Sequence, residues 1–405
     1  MLYFQLAWRN LWRNKRRTLI SASSVFLAVF LSLLTRSMQL GSYSFMIGNV
    51  VRLSMGYMQI HQRGYWQKKS IDLAMSDDPA MRSQLERMNY VTEVIPRLQT
   101  FALAASNRAT RGAMVQGINP VAEDRLNSLS RKLSAGSYLG DGDSSALIGE
   151  GLARYLGLEV GDTLVLYGMG YHGATAAGQF PIRGIVRFSL PEMNSSIVYL
   201  SLHEAQEFLG MPQLINSLSI MIDQPRHQNA VFETVQKEFG GRYEVLSWQE
   251  MMPEVVQAIA VDNAGGVIMI VILYVVVGFG IFGTVLMMTL ERRREFGVLL
   301  SIGMKRMRLA LMTSTEAIFL SILGVVSGSI AAFPVMFYFT ESPFRLTGDA
   351  AEAMLKFGLE PLLPLSIQPS IFISQTLAVL AIALVSALYP ALVLRRLEPV
   401  QAMHS

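Results

Sequence analysis

Four long apolar runs interrupt an otherwise polar chain. Each run has about 20 or more residues, which is the length that an α-helix needs to cross the hydrocarbon core of a bilayer. The pattern therefore predicts four transmembrane helices, in segments 18–39, 263–290, 309–339 and 370–394. The third run is long enough to tilt or to project beyond the lipid.

The 223-residue segment between the first two runs, 40–262, is too polar and too long to be a loop, so it predicts a folded domain of its own. This segment contains stretches with a helical pattern between stretches in which apolar and polar residues alternate as in a strand. The strand-like stretches are 57–62, 94–105, 112–118, 162–168, 180–188, 195–202 and 217–223. We expect a membrane protein with four transmembrane helices and a large α+β extracytoplasmic domain between helices 1 and 2.

One hairpin of this domain, over residues 165–184, has a tip rich in glycine and alanine. An uncharged, flexible tip can dock a partner or cover a ligand, and it can also be an ordinary mobile end. The candidate docking side chains are Met169, Tyr171, His172 and Phe180.

Charge is sparse and unevenly placed. Only 16% of the residues are charged, below the roughly 25% of soluble domains. Basic residues lie beside the apolar runs, so the positive-inside rule predicts that segments 1–17, 291–308 and 395–405 are cytoplasmic. Segments 40–262 and 340–369 then lie outside. The net charge of +4 thus reflects membrane topology, and we expect no nucleic-acid partner.

The first apolar run follows the basic sequence LAWRNLWRNKRRT, and no small-residue cleavage site closes it. This arrangement predicts an uncleaved signal anchor. The chain has no cysteine, which excludes disulfides, lipidated cysteines and thiol chemistry.

Sequence signatures of catalysis are missing. There is no G-x-x-x-x-G-K-[ST] phosphate loop, so any ATP that drives this protein must be bound elsewhere. HEAQE at 203–207 lacks the second histidine of a zinc motif, and G-x-S-x-G is absent. The carboxylates of Asp77 and Asp78 fit a helix N-terminus. We expect no catalytic residue, no metal and no directly bound cofactor.

Two acidic and several basic residues surround an apolar stretch at 291–312, ERRREFGVLLSIGMKRMRLALM. A plain connector with arginines at the membrane interface explains the charges. It does not explain the apolar side chains, which need lipid or protein to cover them. These are Phe296, Val298, Leu299, Leu300 and Ile302. An amphipathic helix that docks a partner ATPase explains both features, with Gly297 and Gly303 as bends.

Two features of the third run have structural interpretations. Gly324 and Gly328 form a small-xxx-small pattern, and we favour packing among spans two to four of the same chain over a dimer seam. An unpaired carboxylate at Glu316 would be costly, so we expect it to meet a basic residue at the cytoplasmic interface.

The pattern E-R-x-x-E-F-G-x-L-x-S-I-G at 291–303 resembles the coupling helix of the FtsX-like ABC permeases, which include the lipoprotein-releasing and macrolide-exporter types. LAWRNLWRNKRRTLI at 6–20 resembles their N-terminal amphipathic helix and first span. LYPALVLRRLEPVQAM at 388–403 resembles the exit of their last helix. The order of one span, a large outer domain and three spans is also similar.

The resemblance implies a permease in the bacterial inner membrane, paired with a second copy or a paralogue and with a separate ABC ATPase. ATP and Mg²⁺ would be bound by that ATPase, so this chain itself would not be an enzyme. The resemblance places the ATPase-coupling element at Glu291, Arg292, Glu295, Phe296, Gly297, Gly303 and Lys305.

In this family the first two spans line the lipoprotein cavity. The resemblance therefore makes Arg36, Met38 and Leu40 candidates for the cavity mouth, and plain interfacial anchoring is the alternative.

EVLSWQEMMPEVVQAI at 244–259 resembles the lipoprotein-releasing branch. The hairpin 168–180 lies where one permease of that branch hooks a periplasmic lipoprotein chaperone, but it lacks prolines. Three interpretations stay open. The hairpin captures a chaperone, or the chain is the other permease of a pair, or it is a homodimeric relative with different cargo. The resemblance implies extraction of lipoproteins from the outer leaflet, with membrane lipids as partners. The alternatives are an efflux or mechanotransmission permease with a periplasmic adaptor, and a non-transporting regulator of a periplasmic enzyme.

Overall fold

A computed structural model of the chain describes residues 9, 12–13, 15–51, 55–188, 190–356, 360–386 and 388–389. Most of the N-terminal segment 1–17 and the whole tail 395–405 lie outside the described residues. The chain divides into two compact units. The membrane unit comprises Met1–Phe45, Ala258–Arg345 and Leu362–Ser405, and the outer domain comprises Met46–Gln257 and Leu346–Pro361.

The helices are, in chain order, α1 (Lys15–Val50), α2 (Tyr65–Lys68), α3 (Pro79–Glu86), α4 (Pro120–Asn127), α5 (Glu150–Leu156), α6 (Pro191–Ser196), α7 (Leu202–Leu209), α8 (Gln228–Phe239), α9 (Trp248–Met251), α10 (Pro253–Glu291), α11 (Arg293–Ser301), α12 (Arg306–Glu341), α13 (Asp349–Lys356) and α14 (Pro369–Ser386). Within the described residues, α1, α10, α12 and α14 are the four helices long and apolar enough to cross a membrane.

The helices of the membrane unit extend beyond the predicted spans. Helix α1 continues to Val50, α10 begins at Pro253, and α12 runs from Arg306 to Glu341. Hydropathy marks the part of a helix that suits lipid, whereas backbone hydrogen bonding continues through polar residues. The compact outer domain lies within the predicted outer segment 40–262 and also takes in part of the predicted loop 340–369, and the membrane boundaries themselves stay predictions.

Small residues bring α12 close to α1. A Cβ atom at Gly324 would clash with Val25, and one at Gly328 would lie 2.9 Å from the carbonyl oxygen of Phe26. Packing within the chain is therefore observed, but the partner of these glycines is the first span and not the second or fourth, so the prediction of packing among spans two to four is wrong in its partner. The buried core of the membrane unit also draws on α10 and α14, through Val277, Ile281, Val285, Ile371, Val379 and Ala383.

The strands are β1 (Met58–His61), β2 (Met75–Ser76), β3 (Val91–Ala105), β4 (Thr110–Ile118), β5 (Leu133–Gly136), β6 (Ala146–Gly149), β7 (Thr163–Met169), β8 (Thr175–Val186), β9 (Ile197–Ser201), β10 (Leu214–Ile215), β11 (Ser217–Ile222), β12 (Glu244–Ser247), β13 (Phe344–Arg345) and β14 (Leu362–Leu363). Ten of them form one sheet, ordered β12-β1-β11-β3-β4-β9-β6-β8-β5, with β7 pairing β3 and β8. The pairs β4–β9 and β6–β8 are parallel. The predicted α+β outer domain is confirmed.

Local capping agrees with the sequence pattern. The side chain of Asp78 accepts a hydrogen bond of 2.9 Å from the Ala80 amide and caps α3. Asp77 forms an ion pair of 3.2 Å with Arg82. The interpretation of the two aspartates as a helix N-terminus, and not as an acid–base pair, is thus confirmed.

A buried ion pair lies inside the outer domain. Arg97 on β3 and Glu123 on α4 are 1% and 0% exposed, and Arg97 Nη2 lies 2.9 Å from Glu123 Oε1. Arg97 Nε and Nη2 also donate to Glu123 Oε2, at 3.2 and 3.0 Å, and Asn127 donates to the same carboxylate. The two charges therefore neutralise each other where no water reaches them.

His61 is a second buried polar group of this domain. Its Nδ1 donates to the carbonyl oxygen of Asn216 at 2.7 Å, and its ring stacks on Tyr65 with centroids 4.9 Å apart. Nε2 has no hydrogen-bond partner among the described residues. Burial lowers the pKa of His61 to about 4, with the Lys69 charge acting in the same direction and the hydrogen bond to Asn216 opposing both.

We predict that the outer domain loses stability on mild acidification. The folded state keeps His61 neutral while the unfolded chain binds a proton below its ordinary pKa of 6.5, so stability falls as pH drops from about 6.5 towards 4. From about pH 7 to about pH 5 we expect a loss of about 2 kcal/mol in urea unfolding followed by tryptophan fluorescence. His61→Gln should remove most of this pH dependence, and an unchanged pH profile in that variant would contradict the assignment.

Candidate coupling site

The predicted amphipathic element is a separate helix, α11, between α10 and α12. The break between α10 and α11 falls at Arg292, whose backbone leaves helical geometry (φ −98°, ψ 8°). After α11 the chain turns at Gly303, whose φ of +97° favours glycine. The predicted bend at Gly303 is confirmed, whereas the one at Gly297 is wrong. Gly297 lies buried inside α11, where a residue without a side chain allows close packing.

The apolar face of α11 is covered mostly by the chain itself. Phe296 is buried against Leu309, Ala310 and Met312 of α12, and Leu299 and Leu300 pack partly buried against the same cluster. Val298 and Ile302 remain exposed, the latter at 79%. Two of the five apolar residues are therefore left to contact lipid or another protein.

A buried ion pair fastens this helix. Arg292 Nη1 donates to both carboxylate oxygens of Glu316 on α12, at 2.9 and 2.8 Å. The Arg292 guanidinium also lies 5.7 Å from the ring centroid of Phe296. The prediction that Glu316 meets a basic residue is confirmed. Arg292 is buried in this pair and fastens α11 to α12, and its place in the ATPase-coupling element stays a prediction.

Glu295 joins the same network from its exposed side. Its carboxylate accepts from Arg292 Nε at 2.9 Å and from Arg13 Nη2 at 2.8 Å. Partial burial opposes ionisation, but the hydrogen bonds and charges of Arg292 and Arg13 outweigh it and hold the pKa of Glu295 below its usual value. Glu295 therefore pairs with arginines of its own chain. Glu291 and Lys305 are exposed at the two ends of the element.

We predict that Glu295→Lys uncouples ATP hydrolysis from transport without unfolding the protein. The lysine places a third positive charge beside Arg13 and Arg292, so α11 loses its acidic bridge. The pair is half exposed, so we expect a stability change of at most about 1 kcal/mol. The measurement is cargo-stimulated ATPase activity and transport in a reconstituted complex, with thermal unfolding in parallel. Glu295→Gln, which keeps an acceptor, is the matched control. Normal transport by Glu295→Lys would count against the coupling assignment.

The candidates for the cavity mouth lie in the C-terminal half of α1, and their contacts differ. Arg36 Nη1 donates to Gln39 at 2.6 Å and to Asn263 Oδ1 of α10 at 2.9 Å. Met38 is exposed, and Leu40 packs partly buried against the membrane core. Arg36 and Leu40 are four residues apart and lie on one face of α1, whereas Met38 projects from another side of the helix.

A polar cluster that we did not predict from the sequence surrounds Arg36. Gln39 Nε2 donates to the carbonyl oxygen of Asp262 at 3.0 Å, and the Tyr43 hydroxyl donates to its Oδ2 at 2.7 Å. A Cβ atom at Gly266 would overlap Gln39, so α1 and α10 approach closely here. The sequence signal that could have predicted this cluster is the position of its polar residues, which lie next to the first two apolar runs.

The outer hairpin has a more ordered tip than its composition indicates. Phe180 is buried and meets Phe208 edge to face, with centroids 5.7 Å apart, and Tyr171 packs partly buried on the core. The His172 amide donates to Asp72 Oδ1 at 2.7 Å. Phe180 is therefore a core residue and wrong as a docking residue, whereas the docking role of the partly buried Tyr171 stays a prediction. Met169 and His172 remain exposed.

Strand β7 of this hairpin and the neighbouring strand β3 present an exposed apolar face. Phe101, Leu103, Val165 and Tyr167 are exposed on adjacent strands, with Phe101 at 74%. We missed this face because β3 has apolar residues on both of its sides, so alternation does not show which side is buried.

The described residues include one geometric candidate for a metal. His203, Glu204 and Glu207 place ligand atoms within 4.8 Å of one another on α7. His203 and Glu207 are exposed, as expected of a solvated helix start, and exposed acidic groups of this kind are common without a metal.

Known proteins resemble both parts of the chain. The MacB-like periplasmic core domain matches residues 18–238, and the FtsX-like permease C-terminal matches residues 267–399. The lipoprotein-releasing system transmembrane protein LolC of Xylella fastidiosa is 22% identical over 330 residues, which cover 77% of this chain and 78% of that protein. LolC of Neisseria meningitidis serogroup B is 21% identical over 254 residues, covering 60% of this chain and 61% of that protein.

Solved structures are more distant. The periplasmic region of MacB from Actinobacillus actinomycetemcomitans has a TM-score of 0.35 and 14% identity, and the match covers 49% of this chain and 91% of that one. The extracellular domain of the noncanonic ABC-type transporter YknZ from Gram-positive bacteria has a TM-score of 0.34 and 12% identity, with coverage of 47% and 99%.

Proposed function

Because the chain belongs to the FtsX-like permeases with a MacB-like periplasmic core domain, and is thus an ABC transporter permease, we propose that it extracts lipoproteins from the outer leaflet of a bacterial inner membrane. It is a multi-pass inner-membrane protein. We place both termini in the cytoplasm, on the distribution of basic residues beside the apolar runs.

One observation carries the lipoprotein assignment. Similarity to a lipoprotein-releasing system transmembrane protein extends over 77% of this chain. Both family matches, which together run from residue 18 to residue 399, agree with a permease whose outer domain interrupts its spans. The function thus rests on the whole architecture and not on a local motif.

The proposed mechanism begins at α11. A partner ATPase binds ATP with Mg²⁺ and presses on the exposed positions of the element, Val298, Ile302, Glu291 and Lys305. The Arg292–Glu316 pair and the buried Phe296 fasten α11 to α12, so the two helices move together. Close packing at Gly324 and Gly328 passes that movement from α12 to α1.

The movement then reaches the outer side of the membrane. Helices α1 and α10 are continuous, and the polar cluster of Arg36, Gln39, Tyr43 and Asp262 ties them together. We propose that displacement of these helices drives the outer domain, which lifts the lipoprotein out of the leaflet. A second permease chain completes the transporter, and a periplasmic chaperone receives the cargo.

Copurification tests this function. The tagged protein is isolated in mild detergent, the copurifying chains are identified by mass spectrometry, and the eluate is assayed for acylated lipoproteins. We expect a small ABC ATPase together with lipoproteins. If the ATPase copurifies with a periplasmic adaptor and no lipoprotein, the result would favour efflux instead of release. If it copurifies with a cell-wall hydrolase and no lipoprotein, the result would favour regulation of that enzyme.

A further inference from the structure

An apolar groove of about 310 Å³ lies in the membrane unit, where α1, α12 and the β13–β14 ribbon meet. Its main walls are Leu34, Met38, Val335, Phe339, Phe344 and Leu363. Among the described residues that line it, Thr35 alone carries a polar side chain. Its walls come from the C-terminal half of α1 and the C-terminal turns of α12. From the charge distribution we expect this part of both helices to lie at the outer leaflet. We therefore expect the groove to face lipid tails.

The roof of the groove is fixed by hydrogen bonds from both helices. Ser37 Oγ of α1 donates to the Ser366 carbonyl oxygen at 2.8 Å and accepts from its amide at 3.1 Å. Thr340 Oγ1 of α12 donates to the Leu365 carbonyl oxygen at 2.9 Å. A Cβ atom at Gly41 would overlap the Pro364 backbone, so the returning chain lies directly on α1. The groove is thus preformed, as ligand sites usually are.

Two residues close in sequence to the lining residue Phe344 carry one charge of each sign. Glu341 ends α12 and Arg345 lies on β13, on either side of the lining residue Phe344. Both are exposed, and neither forms an ion pair with another described residue. A headgroup with a phosphate and an ammonium matches this pair, with the phosphate near Arg345 and the ammonium near Glu341. The groove volume is at the lower end of the roughly 300–1,000 Å³ of small-molecule sites, which fits one acyl chain.

We propose that this groove binds one acyl chain of a phosphatidylethanolamine-type phospholipid of the outer leaflet, with its zwitterionic headgroup between Glu341 and Arg345. The site is distinct from the Arg36 cluster, because Arg36 leaves α1 on the side that faces α10. The proposal requires only that the chain lies in a membrane. It stands or fails independently of lipoprotein release.

Photolabelling tests the proposal on the unaltered protein. The full chain is reconstituted with its copurifying subunits in vesicles that contain phosphatidylethanolamine with a photoactivatable acyl chain, and the labelled peptides are mapped. We expect labelling in segments 34–38, 335–344 and 363–365. Labelling spread evenly over all lipid-facing helices would overturn the proposal, as would labelling of these segments only by an acylated lipoprotein.

Variants give a second measurement. Met38→Trp and Val335→Trp fill the groove, and Ile330→Trp places the same side chain on an exposed position of α12 outside it. By native mass spectrometry we expect the groove variants to retain phosphatidylethanolamine about tenfold less than Ile330→Trp does. Thermal unfolding confirms that each variant is folded. Equal retention in folded groove variants and control would contradict the site.

Discussion

Replacing Arg292 by alanine is expected to destabilise the membrane unit by about 3–5 kcal/mol, because the buried carboxyl group of Glu316 loses the guanidinium that forms its ion pair. Glu316 is 1% exposed, and both of its oxygens accept from Arg292. The loss should be visible as a lower unfolding temperature in nanodiscs. The substitution should also increase the rate of amide hydrogen exchange more in α11 than in α14, because Arg292 fastens α11 and not α14.

The matched control removes both charges. In the double variant Arg292→Met with Glu316→Met, no buried charge remains, and apolar side chains of similar volume fill the space. We expect most of the lost stability to return, with Glu295 still bound to Arg13. If the free energy of unfolding of Arg292→Ala lies within about 0.5 kcal/mol of that of the unaltered protein, the result would contradict a buried ion pair at this position.

Glu123→Ala is expected to destabilise the outer domain by about 3–5 kcal/mol. Arg97 then remains inside the sheet with 1% exposure and without its carboxylate. Urea unfolding followed by tryptophan fluorescence should show a lower midpoint, with Trp248 as a buried reporter in the same domain.

The control for this variant breaks an exposed pair of the same domain. Arg187 Nη2 lies 2.6 Å from Glu150 Oε1, and the arginine side chain is 66% exposed. Arg187→Ala should leave the urea midpoint near that of the unaltered protein, because water replaces the lost partner. Equal midpoints for Glu123→Ala and Arg187→Ala would refute the role that we give to burial.

The architecture could be predicted from the sequence because its signals are local. A run of apolar residues marks a span, and a long polar segment between two runs marks a domain. The helix ends could not be placed, because α1 and α10 continue through polar residues with unbroken hydrogen bonding. The strand order could not be predicted either, because β1 pairs with β11 and β12, which lie more than 150 residues further along the chain.

The coupling site was predictable as an element but not residue by residue. An apolar face on α11 indicates that something covers it, and only the structure shows that α12 covers Phe296. Likewise, Arg292, Arg293 and Arg294 are equivalent in the sequence. Arg292 differs because the helix break turns its side chain towards Glu316, a contact between residues 24 positions apart.

The hairpin illustrates the opposite error. Glycine and alanine at its tip indicate mobility, yet small residues also allow the close packing that buries Phe180. At Gly170, for example, a Cβ atom would lie only 2.9 Å from the Leu209 carbonyl oxygen. Composition alone does not separate these two uses of small residues.

The central claim is that α11 transmits the movement of a partner ATPase. The chain has no cysteine, so single cysteines at Val298, Ile302 and, as a control, the exposed Ile330 of α12 can each carry a photo-cross-linker in membranes. We predict cross-links from Val298→Cys and Ile302→Cys to an ABC ATPase, and none from Ile330→Cys. Complexes that retain the ATPase but give no cross-link from either α11 position would contradict the account.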